Sequence, residues 1–322
     1  MQMVRAYTTS RRMQWPYSRC YQVTRLHQEG RRGRQDMGWL GRTLDRTAHW
    51  LLKWRILRGP ARWIANSRYS WSIVSRTDRV RERRLQTRVM ADALPQHISI
   101  IMDGNRRYAA DSGLAATLGH RAGKEKLEDV MDWVLDIGVP YLTVYALSTE
   151  NITSRKPEEL EDLFDLYVEG LNDLSTDERI HKNSVRVQVA GRKELLPERV
   201  LKAIENAESL TASHDKFVFT VCLAYGSREE IIDAVRAIAV DHAEGELDLS
   251  SIDEKEISKR LWTGDMPDPD LVIRTSGEER ISNFLLWQSA YAEYYFTDVY
   301  WPSFSRGDLL AAIEEYQQRK RR

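Results

Sequence analysis

The chain has 322 residues, 42% of them hydrophobic and 30% charged, a composition that allows one sizeable folded domain with an appendage. Its net charge is zero, but residues 1–93 carry 21 Lys and Arg against 6 Asp and Glu, and the remainder carries 27 against 42. No run of about 18 apolar residues occurs, which excludes a predicted transmembrane helix. Cys20 and Cys222 lack a metal-binding spacing, so a reducing compartment is expected.

The basic stretch 1–93 also holds six of the ten tryptophans. Three interpretations of it are open. Trp50, Trp54 and the arginines around them are typical of a segment that lies at a membrane surface. The Arg-rich, acid-poor composition also fits a transit segment, and a third interpretation is that the natural start is Met37 or Met90 and the upstream part is translated flank. No nucleic-acid-binding motif accompanies the charge, so nucleic acid is not an expected partner.

Residues 94–322 alternate apolar runs with helical patterns, which predicts a single α/β domain with a mainly parallel six-stranded sheet flanked by helices. The predicted strands are Ile98–Met102, Tyr141–Leu147, Val185–Ala190, Phe217–Ala224, Leu271–Arg274 and Tyr294–Thr297. The predicted helices are Lys124–Leu135, Pro157–Leu174, Pro197–Thr211, Ser227–His242, Ile257–Leu261, Asn283–Ala292 and Arg306–Arg319.

The first predicted strand runs into Asp103, Gly104 and Asn105, followed at once by Arg106 and Arg107. Ligands of open parallel sheets bind outside the carboxyl ends of the strands. Gly104 allows a close backbone approach, and guanidinium groups bind phosphate oxygens in a bidentate way. The segment therefore predicts a phosphate site with an acid available to a metal ion, although a solvated charged turn explains this segment equally well when it is taken alone.

A second strand end repeats this chemistry. The apolar run Leu271–Ile273 leads into Arg274, and Gly277, Arg280 and Ser282 follow within eight residues. Two strand ends that carry arginine, glycine and hydroxyl groups, with Asp103 available for a metal, predict a site for two phosphorylated groups.

Together with three further segments, these motifs resemble those of the cis-prenyltransferases, the family of undecaprenyl and dehydrodolichyl diphosphate synthases. The further segments are Tyr145–Asn151, Leu223–Arg228 and Trp287–Pro302. All five follow the family's order and spacing from about Leu94 to the C-terminus. After Asn105 the chain reads Arg106-Arg107-Tyr108, which resembles the archaeal and eukaryotic branch.

The resemblance implies an enzyme that adds isopentenyl diphosphate to a farnesyl or geranylgeranyl diphosphate primer, making each new double bond cis. The product would be a long polyprenyl diphosphate, the precursor of a glycan lipid carrier. The resemblance also implies a Mg²⁺ ion held by Asp103 with the help of Glu293. Asn105, His120 and Ser148 match positions near the reacting atoms, with Asn105 and Ser148 in a proton relay and His120 orienting a diphosphate or transferring a proton.

Arg274, Arg280 and Ser282 match the family's pocket for isopentenyl diphosphate. The full set of predicted substrate-binding residues is Gly104, Arg106, Arg107, Tyr108, Arg121, Asn151, Arg155, Arg274, Arg280 and Ser282. Arg121 enters this set by our own inference, and a helix cap is the structural alternative for Asn151.

The chain departs from the family pattern at several positions. Ala116 stands where a phosphate-binding arginine is usual, and Arg121 or Arg106 is the candidate replacement. Leu147 and Ile152 replace expected aromatic residues, and the connection that follows Ile152 is longer than usual. These departures leave primer binding and product length open.

A long product requires an apolar cavity. The candidate lining residues are Val144, Leu147, Leu163, Phe164 and Tyr167, and ordinary core packing is the alternative for each of them.

The expected assembly is a homodimer that is active by itself, in the cytoplasm and peripheral at the membrane surface. The alternative is a subunit of a heteromeric enzyme that acts with a second homologous chain. Non-catalytic partner subunits lose the metal-binding aspartate and part of the arginine loop, whereas Asp103, Arg274, Arg280, Ser282 and Glu293 are all present here, which favours activity.

Overall fold

The computed structural model describes residues 80–264 and 266–320, and the chain divides into two units, Met1–Val74 and Ser75–Arg322. The predicted N-terminal extension lies mostly outside the described residues. Residues 80–89 are helical and belong to the second unit, where Val89 is buried and its carbonyl accepts a hydrogen bond from Gln317 Nε2 at 2.9 Å. This helical segment, which precedes the predicted boundary at residue 93, therefore contributes to the core of the second unit.

The second unit contains a parallel sheet of six strands. They are β1 His97–Ile101, β2 Tyr141–Tyr145, β3 Val185–Ala190, β4 Phe217–Cys222, β5 Leu271–Arg274 and β6 Glu293–Phe296, in the order β3-β4-β2-β1-β5-β6. Every residue of β1 and β5 is buried, as expected of strands covered on both faces. The strand order reverses at the β1–β5 pair, and such a reversal opens a crevice at the carboxyl ends of the two strands.

The helices that cover the sheet follow the chain in the expected alternation. They are α1 Asn105–Asp111, α2 Ala116–Ile137, α3 Thr149–Ser154, α4 Pro157–Thr176, α5 Glu178–Lys182, α6 Glu198–Thr211, α7 Ser227–Ala243, α8 Glu254–Ser258 and α9 Arg306–Lys320. Short 3₁₀ turns lie at Lys193–Leu195, Leu249–Ser251 and Trp301–Ser303. Within the described residues, no helix is long and apolar enough to cross a membrane.

Trp301 holds α2 next to the residues that follow β1, at the crevice between β1 and β5. It is fully buried, its Nε1 donates to the carbonyl of Gly123 on α2 at 2.9 Å, and its backbone N–H donates to the carbonyl of Asp103 at 3.1 Å. Glycine permits the close packing of α1 on α2, because a Cβ at Gly119 would lie 2.2 Å from the carbonyl oxygen of Asn105. The residues that follow β1 are thus held in place both by Trp301 and by the close contact of α1 with α2.

The predicted helix 283–292 is wrong. The chain from Ile281 to Tyr291 forms turns, and Ser282, Asn283 and Leu285 have φ values of 53°, 60° and 46°. Left-handed residues interrupt the helical hydrogen-bond ladder, so an apolar composition alone misled the prediction. The helix predicted at 257–261 lies earlier, at Glu254–Ser258, and the two longest predicted strands end two residues sooner.

We predict that Gly119→Ala lowers the free energy of unfolding by about 1–3 kcal/mol, because the added methyl group meets a backbone oxygen that cannot rotate away. Gly170→Ala on α4 is the matched control: its Cβ would have an ordinary contact of 3.5 Å, so alanine should be neutral or stabilise the helix by up to about 1 kcal/mol. Urea unfolding of both variants tests this, and equal effects would contradict the packing argument.

Candidate active site

The carboxylate of Asp103 lies at the crevice between β1 and β5, with a guanidinium group on each side. Its Oδ2 accepts from Arg274 Nη2 at 2.8 Å, and its Oδ1 lies 3.4 Å from Arg107 Nη2. Burial alone would raise the pKa of Asp103, but the hydrogen bond and charge of Arg274, with the charge of Arg107, lower it. The group is therefore a carboxylate.

The backbone around Asp103 is fixed by Thr275, the residue that follows β5. Thr275 Oγ1 accepts from the N–H of Asp103 at 3.0 Å and donates to its carbonyl at 2.7 Å. The next residue, Gly104, has φ 103°, and a Cβ there would approach the ring of Tyr300 to 2.9 Å and Ser276 to 3.0 Å. A glycine is required at this turn, which directs the chain into α1.

Arg274 joins the two sequence motifs. Its side chain is 4% exposed, and besides Asp103 it donates to Ser282 Oγ at 2.6 Å and to the carbonyl of Arg280. Burying a guanidinium is costly unless its donors find partners, and both Nη groups of Arg274 find theirs here, so Arg274 holds the loop that carries Arg280 and Ser282 against the end of β1.

Glu278 bridges the two exposed arginines of the crevice. Its carboxylate accepts from Arg107 Nη1 at 3.2 Å and forms an ion pair with Arg280 Nη1. Three guanidinium groups, those of Arg107, Arg274 and Arg280, thus face a small region balanced by two carboxylates. The region has the charge and the hydrogen-bond donors to bind a diphosphate.

A second polar network follows β2. Ser148 caps α3, and its Oγ accepts from the N–H and Nδ2 of Asn151 at 3.1 and 2.9 Å. Asn151 Oδ1 accepts from Arg155 Nε at 3.2 Å, and Arg155 forms an ion pair with Glu159. Arg106 Nη1 and His120 Nε2 lie 3.9 and 3.6 Å from the same Glu159 oxygen.

His120 is an uncharged imidazole at neutral pH. Burial and the positive charge of Arg155 lower its pKa, and the carboxylate of Glu159 only partly opposes them. Nearby, Asn105 lies against α2, where a Cβ at Gly123 would meet its Oδ1 at 2.7 Å. That Oδ1 is buried and has no hydrogen-bond partner within the described part of the chain, so it is available to a ligand.

Asn283 ties the 275–292 loop to the second network. Its Nδ2 donates to Glu150 Oε1 at 3.2 Å and to Glu229 Oε2 at 3.1 Å, and its Oδ1 accepts from the N–H of Arg228 at 2.9 Å. Tyr145 adds a further link by donating to the carbonyl of Ser282 at 3.3 Å. The two polar networks therefore meet along one edge of the sheet.

An apolar cavity of about 350 Å³ begins beside Met102, Asn105 and His120 and continues between α2, α4 and the sheet. Of the five predicted lining residues, Leu163 and Tyr167 line it, whereas Val144, Leu147 and Phe164 belong to the core. The sheet contributes Ala146, Phe219, Val221 and Leu223 to its wall. The cavity has the apolar lining that a hydrocarbon chain requires.

Four of the predicted site residues have positions or partners other than those the sequence suggested. Arg121 is exposed and pairs with Glu169 on α4 at 3.5 Å, and Tyr108 is half-buried on α1. Arg106 joins Glu159 rather than Asp103. Glu293 is paired in register with Leu271 at the start of β5, and it bonds Arg319 at 2.9 Å, so it lies at the opposite end of the sheet from Asp103. A magnesium site built from Asp103 and Glu293 within one protomer is therefore not what the structure shows.

The donor set around Asp103 fits a metal ion that is bound together with its substrate. Among residues 80–264 and 266–320, no group of three or more His, Cys, Asp or Glu side chains is arranged to hold a metal by itself. Mg²⁺ commonly takes one or two carboxylates and completes its shell with water and phosphate oxygens. Asp103 would supply the carboxylate, and a diphosphate held by Arg107, Arg274 and Arg280 would supply phosphate oxygens.

Sequence reasoning missed Glu159, Glu278 and Asn283, each of which connects several site residues. Glu278 lies inside the Arg274–Ser282 motif, and Glu159 stands four residues after Arg155, the spacing of neighbours on a helix. Those two signals were present in the sequence. The role of Asn283 depends on a left-handed loop and had no such signal.

Several known proteins are similar to this chain in sequence or in fold. A prenyltransferase family model described as undecaprenyl diphosphate synthase matches residues 101–322. The tritrans,polycis-undecaprenyl-diphosphate synthase (geranylgeranyl-diphosphate specific) of Methanopyrus kandleri is 55% identical over 241 residues, which cover 75% of this chain and 89% of that protein. The enzyme of the same name from Methanocaldococcus jannaschii is 47% identical over 246 residues, 76% and 88% of the two chains.

A solved structure is similar as well. Lavandulyl diphosphate synthase from Lavandula x intermedia, in complex with dimethylallyl diphosphate, has a TM-score of 0.66 and 34% identity. The match covers 70% of this chain and 95% of that one.

We predict that the imidazole of His120 titrates below its ordinary pKa in a ring-proton NMR titration. Arg155→Met should raise this pKa because a nearby positive charge is removed, and Glu159→Gln should lower it further because a negative charge is removed. Shifts of the same sign in both variants would contradict the network described here.

Proposed function

The chain belongs to the cis-prenyltransferase family, which includes the undecaprenyl diphosphate synthases, and from that premise we propose that it elongates geranylgeranyl diphosphate by repeated addition of isopentenyl diphosphate. It is a prenyl transferase of the cis type. The geranylgeranyl primer is supported by the names of the archaeal relatives, and farnesyl diphosphate is the competing primer. The product would be a long polyprenyl diphosphate that serves as the precursor of a glycan lipid carrier.

One observation carries the proposal. The buried Arg274 contacts both Asp103 and Ser282, so a carboxylate suited to Mg²⁺ and a loop suited to a second diphosphate lie side by side. The apolar cavity opens next to them, at Met102 and Asn105. A condensation of two diphosphates needs this arrangement, with charged groups at the reacting ends and an apolar space for the growing chain.

Each group has a definable task in that reaction. Asp103 would hold Mg²⁺ beside the primer diphosphate, and the bound ion would supply neutralisation of the charge that develops on the departing group. Arg274, Arg280 and Ser282 hold the diphosphate of isopentenyl diphosphate so that its double bond faces the primer. As the new carbon–carbon bond forms, the isopentenyl unit loses a proton.

Asn105 and Ser148 are the proposed relay for that proton. The Oδ1 of Asn105 is free to accept a hydrogen bond, and the Ser148 Oγ already accepts two from Asn151, which leaves its O–H to act as a donor. His120, neutral at pH 7, can donate or accept from the same side of the cavity mouth.

The proposed enzyme works as a homodimer of identical, active chains in the cytoplasm, at the membrane surface where its product would be used. A chain that carries Asp103, Arg274, Arg280 and Ser282 in bonded contact has the groups expected of a catalytic subunit. The alternative is a heteromer in which a second homologous chain is required, and it predicts that activity appears only when that chain is added.

We predict that Asp103→Asn lowers kcat about 100- to 1000-fold in saturating Mg²⁺ and both substrates, because the amide cannot replace the charge of the carboxylate. Asp111→Asn is the matched control on the following helix, where the exposed carboxylate only accepts from Tyr300 at 2.9 Å. Initial rates with labelled isopentenyl diphosphate give the result, and circular dichroism checks the fold. Near-normal turnover in Asp103→Asn would contradict the assignment of Asp103 as a ligand of Mg²⁺.

We predict that Arg280→Gln raises the KM for isopentenyl diphosphate, with a loss of about 10- to 100-fold in kcat/KM, because a charge-assisted hydrogen bond to the diphosphate disappears. The side chain of Arg280 is 62% exposed, so the variant should fold normally. Arg236→Gln, with 70% exposure and an ion pair to Asp233, is the control for loss of a surface guanidinium. An unchanged KM in Arg280→Gln would show that the second diphosphate binds elsewhere.

A further inference from the structure

The wall of the apolar cavity between α2 and α4 contains a lysine. Lys124, one turn after His120 on α2, lines the cavity with its carbon stem, beside Gly123 and facing Gly170 on α4. A Cβ at Gly170 would lie 3.5 Å from Lys124 Cε, so the stem packs directly on the backbone of the facing helix. The lysine side chain is only 18% exposed.

The ammonium group of Lys124 meets three carboxylates, and two of them belong to Glu128 and Asp173, which also line the cavity. Its Nζ donates to Asp173 Oδ2 at 2.6 Å, lies 3.4 Å from Glu169 Oε1 and donates to Glu128 Oε1 at 3.3 Å. Asp173 and Glu169 belong to α4, and Glu128 belongs to α2. We define these four residues as the Lys124 latch, because they connect the two helices across the cavity.

The other walls of the cavity are held more firmly. Ala146, Phe219 and Val221 belong to or follow paired strands of the sheet, and Tyr167 Oη donates to the Ala146 carbonyl at 3.0 Å, which anchors the middle of α4. Trp301 anchors α2 near the mouth through the carbonyl of Gly123. At the next residue of α2, Lys124, the two helices are joined by ion pairs to partly exposed carboxylates, which are weak and screened by salt.

We propose that the Lys124 latch limits the length of the product. This inference rests on the proposed function: each added unit drives the hydrocarbon deeper between α2 and α4, and a chain that exceeds the closed cavity must separate the helices and break the latch. Lys124 acts as a specificity-determining residue through its position in the wall, and it is not one of the residues proposed to hold the diphosphates.

The test is the product profile of Lys124→Met, which keeps an unbranched apolar stem and removes the charge. We expect longer products, with the ratio of the longest species to the main wild-type species rising about two- to fivefold, as for loss of a partly exposed ion pair. The KM for isopentenyl diphosphate should not change, because its proposed pocket around Arg280 and Ser282 lies outside the cavity.

Lys126→Met is the matched control. Lys126 lies on the same helix with the same 18% exposure, but it pairs with Asp129 of α2 at 2.8 Å and does not line the cavity. Its product profile should equal that of the wild type. Asp173→Asn combined with Glu169→Gln removes the latch from the α4 side and should reproduce the effect of Lys124→Met, which keeps the test valid if one variant fails to fold.

Salt supplies an independent readout. Raising KCl from about 0.05 M to about 0.5 M should lengthen wild-type products, because exposed ion pairs are screened, and should leave the profile of Lys124→Met unchanged. The proposed role of the Lys124 latch would be contradicted if Lys124→Met made the same products as the wild type or shorter ones. It would also be contradicted if salt changed the product lengths of both proteins equally. A wild-type chain that makes no polyprenyl product at all would instead overturn the proposed function.

Discussion

The ion pair between Asp103 and Arg274 joins the ends of two neighbouring parallel strands, and the candidate active site is assembled around it. Arg274 is buried at the end of β5, so its guanidinium must find partners within the protein. It finds them in Asp103 at the end of β1, in Ser282 and in the carbonyl of Arg280. A single buried charge thus sets the positions of the carboxylate proposed to bind Mg²⁺ and of the loop proposed to hold isopentenyl diphosphate.

Carboxylates balance the positive charge of this region. Glu278 accepts from Arg107 and Arg280, and Glu159 is shared by Arg155, Arg106 and His120. Without these acids, several guanidinium groups close together would repel one another and separate. Their presence keeps the donors in place, and a diphosphate, which carries more negative charge than a carboxylate, can compete for them.

Much of this arrangement could be predicted from the sequence, because it depends on local signals. Apolar runs such as Ile98–Ile101 and Leu271–Ile273 identify strands buried on both faces, and parallel neighbours place Asp103 and Arg274 at the same sheet edge. The loop from Ile281 to Tyr291 could not be predicted, since its left-handed residues are stabilised by distant partners such as Glu150 and Glu229. The position of Glu293 could not be predicted for a similar reason, because the register of β6 against β5 decides which end of the sheet Glu293 occupies.

The central claim is that one chain, with Mg²⁺, carries the complete machinery for cis elongation. Incubating the purified full chain with Mg²⁺, labelled isopentenyl diphosphate and geranylgeranyl diphosphate, then separating the products by length, tests it most directly. We expect a ladder of polyprenyl diphosphates with cis double bonds, abolished by chelation of the metal. A folded chain that forms no product with geranylgeranyl or farnesyl diphosphate unless a second homologous subunit is added would contradict it.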